Sequence, residues 1–129
     1  MTHDDVQDWL DRYMAAWRSY DPAQIGDLFA ADATYRFHPW DEEPVKGRDA
    51  IVAALLEADE AGTWEAWYRP YAVDGDRAVV IGESKYTNPD GTLRAFYYNN
   101  WTMRFDADGR CAEFVEYFME LSERLKASQ

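Results

Sequence analysis

The chain has 129 residues, of which 47% are hydrophobic and 16% are aromatic. That composition excludes a disordered chain, and the length is that of a single domain, which we place at residues 1–129. Lys and Arg number 13 against 25 Asp and Glu, so the net charge is −12. Phosphate backbones and anionic lipids repel so acidic a chain, and we therefore expect no nucleic-acid partner and no membrane partner.

The cellular compartment is predicted from what the sequence lacks. Cys111 is the only cysteine, which excludes a disulfide within the chain. The acidic N-terminus does not resemble a secretory signal, and no apolar run approaches the roughly 20 residues that cross a bilayer. We therefore expect a cytoplasmic protein.

Three segments have the pattern of helices. An apolar stripe at helical spacing predicts a first helix over about residues 4–19, and Thr2 with Asp5 resembles a capping box at its start. Asp21-Pro22 begins a second, short helix, because an aspartate cap followed by proline in the first turn is a typical start. A third helix is predicted over about residues 48–58.

Alternation of apolar and polar residues with a period of two indicates five strands. The first lies before the third helix and the other four follow it, separated by glycine-containing turns. The strands are predicted at about residues 33–37, 64–73, 77–87, 95–105 and 110–119. This order predicts an α+β fold, in which a curved antiparallel sheet packs against three N-terminal helices.

Several local phrases, most of them turns, caps or core positions, extend over nearly the whole chain. They lie at residues 20–22 with 28–35, 45–51, 73–80, 105–110 and 114–118. Together with the element order, they resemble the nuclear transport factor 2-like superfamily, and specifically its SnoaL-like branch.

The resemblance implies a cone-shaped curved sheet closed by three helices, with a pocket at the wide end. Members of the superfamily include ketosteroid isomerases, polyketide cyclases, scytalone dehydratase, limonene epoxide hydrolase and non-enzymatic binding modules. The fold alone therefore does not choose a function. The resemblance also implies a homodimer formed through the outer face of the sheet.

His38 is the first catalytic candidate. An imidazole near a carboxylate can act as a general base near neutral pH, and Asp41 follows His38 by three positions. The alternative is that His38 only hydrogen-bonds the loop backbone and that Asp41 belongs to an ordinary solvated acidic run.

Two further catalytic candidates come from strand alternation, which places Asn99 and Trp101 on the inner face. An inward amide at Asn99 can hydrogen-bond a substrate carbonyl, or it can hold a neighbouring carboxylate in the core. Glu116 lies between Phe114 and Phe118 on its face, where desolvation would raise its pKa and suit it to proton transfer. The alternative is a structural carboxylate paired with an arginine or a tyrosine.

Eight aromatic side chains and one more carboxylate are candidates for the wall of a pocket, because tyrosine hydroxyls in an apolar site can support a developing enolate. Core packing is the alternative for each ring. It is favoured for the two rings on the first helical stripe, with a partial contribution to the wall. The candidates are Tyr13, Trp17, Tyr35, Trp40, Trp67, Glu83, Tyr86, Tyr97 and Trp101.

Motifs of cofactor-dependent and metal-dependent enzymes are absent from the sequence. It contains no phosphate-cradling glycine motif, no cluster with metal-ligand spacing and no nucleophilic serine or cysteine motif. We therefore predict no cofactor and no metal. The polar arrangement of the epoxide hydrolases is not recognisable either, since Val115 and Met119 stand where those relatives would be polar.

Three functions stay open. The first is a cofactor-independent isomerase, cyclase or dehydratase that acts on a small apolar carbonyl compound by proton transfer. It would use His38 or Glu116 as base, and Asn99 with Tyr86 or Tyr97 as hydrogen-bond donors. The second is a non-catalytic module that binds a small apolar molecule, and the third is a dimeric interaction domain with a filled core. The sequence favours a protein with a pocket and leaves open whether it is an enzyme.

Overall fold

The structure is a computed structural model that describes residues 1–56 and 63–121. Within these two ranges, three helices and six strands follow one another. They are α1 (His3–Ser19), α2 (Pro22–Gly26), β1 (Phe29–Arg36), β2 (Val45–Lys46), α3 (Arg48–Leu56), β3 (Thr63–Asp74), β4 (Arg77–Thr87), β5 (Leu93–Phe105) and β6 (Cys111–Glu120). The α+β class and the predicted order are confirmed, and the structure adds the two-residue strand β2. The predicted end of the third helix at about residue 58 lies outside the described residues.

The six strands form one open sheet in the order β2-β1-β6-β5-β4-β3. The sheet is mixed, because β1 lies parallel to β6 while the other neighbouring strands pair antiparallel. The parallel pairing begins at Phe29 opposite Cys111, so β1 starts four residues before the predicted strand. The first and last strands of the predicted order therefore meet in the middle of the sheet.

The starts of α1 and α2 follow from their caps. Thr2 Oγ1 accepts a hydrogen bond from Asp5 N at 3.1 Å, and Asp5 Oδ2 accepts one from Thr2 N at 2.9 Å. Asp21 Oδ1 accepts a hydrogen bond from Ala23 N at 2.9 Å, directly before Pro22 opens α2. These side chains satisfy backbone N–H groups that have no acceptor within their own helix.

Trp9 fixes α1 against the sheet. Its indole Nε1 donates a hydrogen bond to the carbonyl of Leu28 at 3.0 Å, and its ring meets Phe29 and Phe105 edge-on. These three rings cover the inner face of the sheet at the end nearest the start of α1. Further along α1, Tyr13 and Trp17 reach the part of the inner face that is not filled.

None of the helices among residues 1–56 and 63–121 has both the length and the apolar character that crossing a bilayer requires.

Candidate functional site

The inner face of the sheet forms one wall of a cavity of about 280 Å³ beneath α1 and α3. Its walls come from both helices and from β1, β3, β4, β5 and β6, so it lies at the centre of the fold rather than in a surface loop. The lining residues are Tyr13, Trp17, Tyr35, Phe37, Leu55, Tyr68, Ser84, Tyr86, Arg94, Ala95, Tyr97, Asn99, Trp101, Glu116 and Phe118. Rings dominate this lining, with a few polar groups among them, as is typical of a small-molecule site.

Glu116 is the carboxylate of the cavity. It stands directly opposite Trp101 in the β5–β6 pairing, so both side chains lie on the inner face. Burial raises the pKa of the Glu116 carboxyl to about 7, and the indole N–H of Trp101 opposes that rise by favouring the charged form. Trp101 Nε1 is buried and reaches no acceptor in full hydrogen-bond geometry among the described residues. The Trp101 N–H therefore lies near enough to Glu116 to favour its charged form, without meeting the full criteria of a hydrogen bond.

A network of neutral hydrogen-bonding side chains lines the same cavity. Asn99 Nδ2 donates a hydrogen bond to Ser84 Oγ at 3.0 Å, and both residues are buried. The Tyr68 hydroxyl also hydrogen-bonds Ser84. Burial raises the pKa of the Tyr68 hydroxyl, with further contributions from Tyr86 and Glu116, so this phenol stays protonated and can act as a donor.

The remaining wall is built from packed rings. Tyr35 stacks on Phe114 with ring centroids 4.4 Å apart, and Tyr13 stacks on Trp9 at 5.4 Å. Burial raises the pKa of the hydroxyls of both Tyr13 and Tyr35 well above the ordinary value. Because each ring is held by a neighbour, the wall is shaped before any ligand enters.

Arg94 enters the cavity through an irregularity in the sheet. Tyr86 on β4 pairs with Ala95 on β5, but the next residue, Thr87, pairs with Leu93. Arg94 is the extra residue of this β-bulge, and a bulge redirects a side chain relative to regular alternation. Its guanidinium carbon lies 5.0 Å from the centroid of the Tyr86 ring, at the cavity wall.

His38 lies outside the cavity, in the loop after β1. Its ring stacks on Trp40, with centroids 4.7 Å apart, and its other neighbour is Phe118 at 5.5 Å. His38 Nδ1 is 3.4 Å from Asp41 Oδ1, while the His38 backbone N–H donates to Asp41 Oδ2 at 3.1 Å. The imidazole thus contacts Phe118, which lines the cavity, while His38 itself is not among the lining residues.

Three predicted wall residues also lie elsewhere, which corrects the sequence prediction of their position. Trp40 is 74% exposed in the loop after β1. Trp67 and Glu83 pair directly across β3 and β4 on the outer face, where Trp67 is 51% exposed and Glu83 Oε2 is 3.9 Å from Arg69 Nη1. The physical reason is the phase of the strands, because Tyr68 and Ser84, one position further along, point inward instead.

The structure brings together Glu116, Asn99 and six of the predicted wall residues in one cavity. The six are Tyr13, Trp17, Tyr35, Tyr86, Tyr97 and Trp101. The sequence prediction did not include Tyr68, Ser84 and Arg94 in the wall. Tyr68 and Ser84 could have been found by choosing the other phase of alternation on their strands, whereas no local signal marks the bulge at Arg94.

A larger hollow of about 570 Å³ lies between the start of α1 and the β5–β6 turn. Aspartates dominate its lining, and most of them are exposed, so it is an open groove in contact with bulk solvent. Within residues 1–56 and 63–121, no group of three or more His, Cys, Asp or Glu side chains is placed to hold a metal ion. The ring-lined cavity with the desolvated carboxyl is therefore the candidate site.

Comparison with known proteins agrees with this architecture. Residues 10–114 match the SnoaL-like domain family. The chain belongs to this family. A comparison of this SnoaL-like protein with the curated proteins finds no match.

Solved structures share the fold of this SnoaL-like protein at low sequence identity. An NTF2-like protein of unknown function from Burkholderia pseudomallei is 19% identical, with 92% of each chain covered and a TM-score of 0.69. An LEH-like epoxide hydrolase from M. tuberculosis is 16% identical over 91% of this chain and 84% of that chain, with a TM-score of 0.70. A candidate polyketide cyclase from Sinorhizobium meliloti is 23% identical over 91% of this chain and 100% of that chain, with a TM-score of 0.66. At these identities the likeness concerns the fold and not the reaction.

Proposed function

We propose that this SnoaL-like protein is a cofactor-independent enzyme that moves a proton on a small, largely apolar carbonyl compound. The reaction class is isomerisation, cyclisation or dehydration. The observation that carries this proposal is the carboxyl of Glu116, which is desolvated in a ring-lined cavity that the donors Trp101 and Asn99 also line. An ionisable group in a cavity with a strongly raised pKa is a typical mark of a functional site.

Glu116 is the base in this proposal. With a pKa of about 7, it is partly ionised at neutral pH, and it is a stronger base than an ordinary solvated glutamate. Proton transfer is most efficient when the pKa of the catalytic group lies near the working pH. Glu116 therefore takes a proton from the carbon beside the substrate carbonyl. It returns this proton to a second carbon in isomerisation, to the new alkoxide in cyclisation, or to the hydroxyl that leaves as water in dehydration.

The donors stabilise the negative charge that appears on the carbonyl oxygen. Trp101 Nε1 has no acceptor in full geometry among the described residues, and the Asn99 amide has a second N–H besides the one bonded to Ser84. The Tyr68 hydroxyl extends this set through Ser84. Donors fixed in advance around a developing enolate lower the barrier, because they need no reorganisation during the reaction.

The cavity also limits the size of the ligand. At about 280 Å³ it is close to the lower end of ordinary small-molecule pockets, which begin at roughly 300 Å³. A ligand of one or two rings fits such a space, and stacking on Tyr86, Tyr97 and Trp17 favours a flat one. The cavity also argues against an interaction domain with a filled core.

The test is deuterium exchange into a two-ring ketone, 2-tetralone, followed by NMR in D₂O. We expect the native protein to accelerate exchange beside the carbonyl, with a rate that rises with pH through about 7 as Glu116 ionises. Glu116→Gln keeps the shape but removes the base, so the accelerated rate should fall by at least about 100-fold. Glu83→Gln, on the outer face, is the matched control and should exchange like the native protein.

Exchange by Glu116→Gln at the native rate would contradict the role of Glu116. Tight binding of 2-tetralone without any exchange would favour the non-catalytic binding module. Binding is followed by the fluorescence of Trp17 and Trp101, because both indoles line the cavity.

We also propose a homodimer formed through the outer face of the sheet. Trp67, Glu83, Tyr98 and Met119 lie in one row across β3, β4, β5 and β6. Glu83 is the charged member of this row, and Trp67, Tyr98 and Met119 are 51%, 50% and 72% exposed. An exposed row of large apolar side chains is more often an interface than a free surface. We expect light scattering after gel filtration to give a dimer for the native chain and a monomer for Trp67→Ala.

Trp40→Ala is the matched control for this dimer, since Trp40 is an exposed tryptophan away from the sheet face. It should stay dimeric at the same protein concentration. A native chain that is monomeric at every concentration would refute the proposed interface.

A further inference from the structure

The position of Arg94 is unusual for a long cationic side chain. Regular alternation on β5 would turn Arg94 away from the face that carries Ala95 and Tyr97, yet the bulge brings its side chain to the cavity wall. Bulges beside functional sites commonly serve to aim one side chain. The guanidinium carbon lies 5.0 Å from the centroid of the Tyr86 ring. This contact holds the guanidinium at the cavity wall, which both residues line.

Arg94 is the single cationic side chain among the described residues that line the cavity. The chain as a whole carries a net charge of −12, so its long-range field repels anions. A guanidinium inside a partly dry cavity acts at short range, where salt and solvent screen it little. It has five N–H donors arranged as a fork, so it can bind a ligand anion while keeping its contacts within the chain.

We propose that the ligand of this cavity carries a carboxylate, which Arg94 binds at the opposite end from the carbonyl that Glu116 acts on. This proposal rests on the proposed function, in which Glu116 acts on the carbonyl end of the ligand. Along β5, Arg94 is seven positions from Trp101, the residue opposite Glu116, which is about 23 Å at roughly 3.3 Å per residue. The two long side chains span part of that distance, and an elongated ligand of two fused rings spans the remainder.

A carboxylate fits Arg94 better than a phosphate group does. The planar guanidinium matches a planar carboxylate with two parallel hydrogen bonds. The lining residues offer neither a glycine-rich loop nor a helix N-terminus, the features that usually hold phosphate. A single negative charge also suits a chain that is already strongly acidic.

The experiment compares two probes of the same shape, 6-carboxy-2-tetralone and its neutral 6-carboxamide. Their dissociation constants are measured by the quenching of tryptophan fluorescence. We expect the native protein to bind the carboxylate at least about tenfold more tightly than the amide, since hydrogen bonds to charged groups discriminate by that order. Arg94→Gln should reduce this preference to less than about twofold, and Arg94→Lys should keep part of it.

Arg69→Gln is the matched control, because Arg69 lies on the outer face beside Glu83. It should retain the full preference for the carboxylate. The native comparison of the two probes tests the inference even if Arg94→Gln does not fold.

Each outcome decides the inference separately from the proposed function. Equal binding of the two probes by the native protein, no binding of either, or a preference that survives Arg94→Gln would overturn the role of Arg94. Exchange into unsubstituted 2-tetralone would still support Glu116 as the base in those cases. A preference lost in Arg94→Gln, without exchange in the native protein, would support carboxylate binding and reject the enzyme.

Discussion

Replacing Glu116 by glutamine should stabilise the folded protein above pH 7 and leave its free energy of unfolding nearly unchanged below about pH 4.5. Burial raises the pKa of this carboxyl from 4.5 to about 7 in the folded state. The folded protein therefore bears the cost of an ionised, desolvated carboxylate at high pH. Glutamine has a similar shape and no charge, so it removes that cost, which is about 3 kcal/mol at roughly 1.4 kcal/mol per pKa unit.

The direction of this pH dependence follows from proton binding by Glu116 in the folded and unfolded states. Below about pH 4.5 the carboxyl is protonated in both states and has no effect on stability. Between pH 4.5 and 7 the unfolded chain releases the proton while the folded protein keeps it, so the native free energy of unfolding falls as the pH rises. Above pH 7 both states are ionised, and the difference between native protein and Glu116→Gln becomes constant.

Urea unfolding at pH 5, 6, 7 and 8 measures this difference. The gap between the two proteins should open from pH 5 to 7 and then level off. Glu42→Gln is the control for the loss of one negative charge at the surface, because Glu42 is exposed in the loop after β1. It should stay within about 0.5 kcal/mol of the native protein. Parallel curves for native protein and Glu116→Gln would show that the carboxyl is not desolvated, which would also remove the main support for Glu116 as a base.

The expected gap between the two proteins would show why a destabilising, buried carboxyl at position 116 is useful. A glutamine at position 116 would give a more stable protein, but it could not accept a proton. A carboxyl whose ionised form is destabilised by burial is a stronger base for the same reason that it weakens the fold. Stability is commonly lower where a site depends on a group held in an unfavourable environment.

Local pattern was sufficient to predict much of this fold. Strand alternation is a property of the backbone itself, so it placed Asn99 and Trp101 on the inner face, where the structure has them. Turn residues on both sides defined β4, whose bounds Arg77–Thr87 agree with the predicted strand. The alternation of Phe114, Glu116 and Phe118 on β6 likewise placed the carboxyl toward the cavity.

The local sequence pattern could not determine the phase of alternation on each strand or the pairing of strands that are distant in the sequence. On β3 both phases carry large rings, with Trp67 on one and Tyr68 on the other, so only contact with α1 decides which faces inward. The pairing of β1 with β6 joins segments about 80 positions apart, and no feature of residues 29–32 announces it. Arg94 was missed because a bulge is a mismatch between two strands, and neither strand alone encodes it.

His38 shows a different limit of sequence reasoning. A histidine followed by a nearby carboxylate forms a plausible catalytic pair in any sequence, and the two groups do approach to 3.4 Å. Their place in the fold gives no support for proton transfer in the cavity, because His38 does not line it and reaches only the lining residue Phe118. Residue type and spacing left open whether Asp41 would approach His38 or belong to a solvated acidic run, and they carried no information on where the pair would lie relative to the cavity.

Replacing Gly82 by alanine should destabilise the protein by about 3 kcal/mol, at the upper end of the usual cost of overpacking. Gly82 pairs with Tyr68 across β4 and β3, and a methyl group there would overlap the carbonyl oxygen of Trp67 and the ring of Tyr68. A backbone oxygen cannot rotate away, so the two strands would have to separate locally. The ring of Tyr68 would move with them, and the cavity wall would change shape.

Gly75→Ala is the matched control, because it makes the same chemical change in a turn. Gly75 has a positive φ of 61° and open space around it, so alanine there should cost only about 1 kcal/mol of backbone strain. Both variants gain equally from a stiffer unfolded chain, which by itself favours alanine by roughly 0.4–1 kcal/mol. The difference between their free energies of unfolding in urea therefore isolates the clash at Gly82. If Gly82→Ala were no less stable than Gly75→Ala, β3 and β4 could part without cost, and the wall formed by Tyr68 could not be a rigid, preshaped surface.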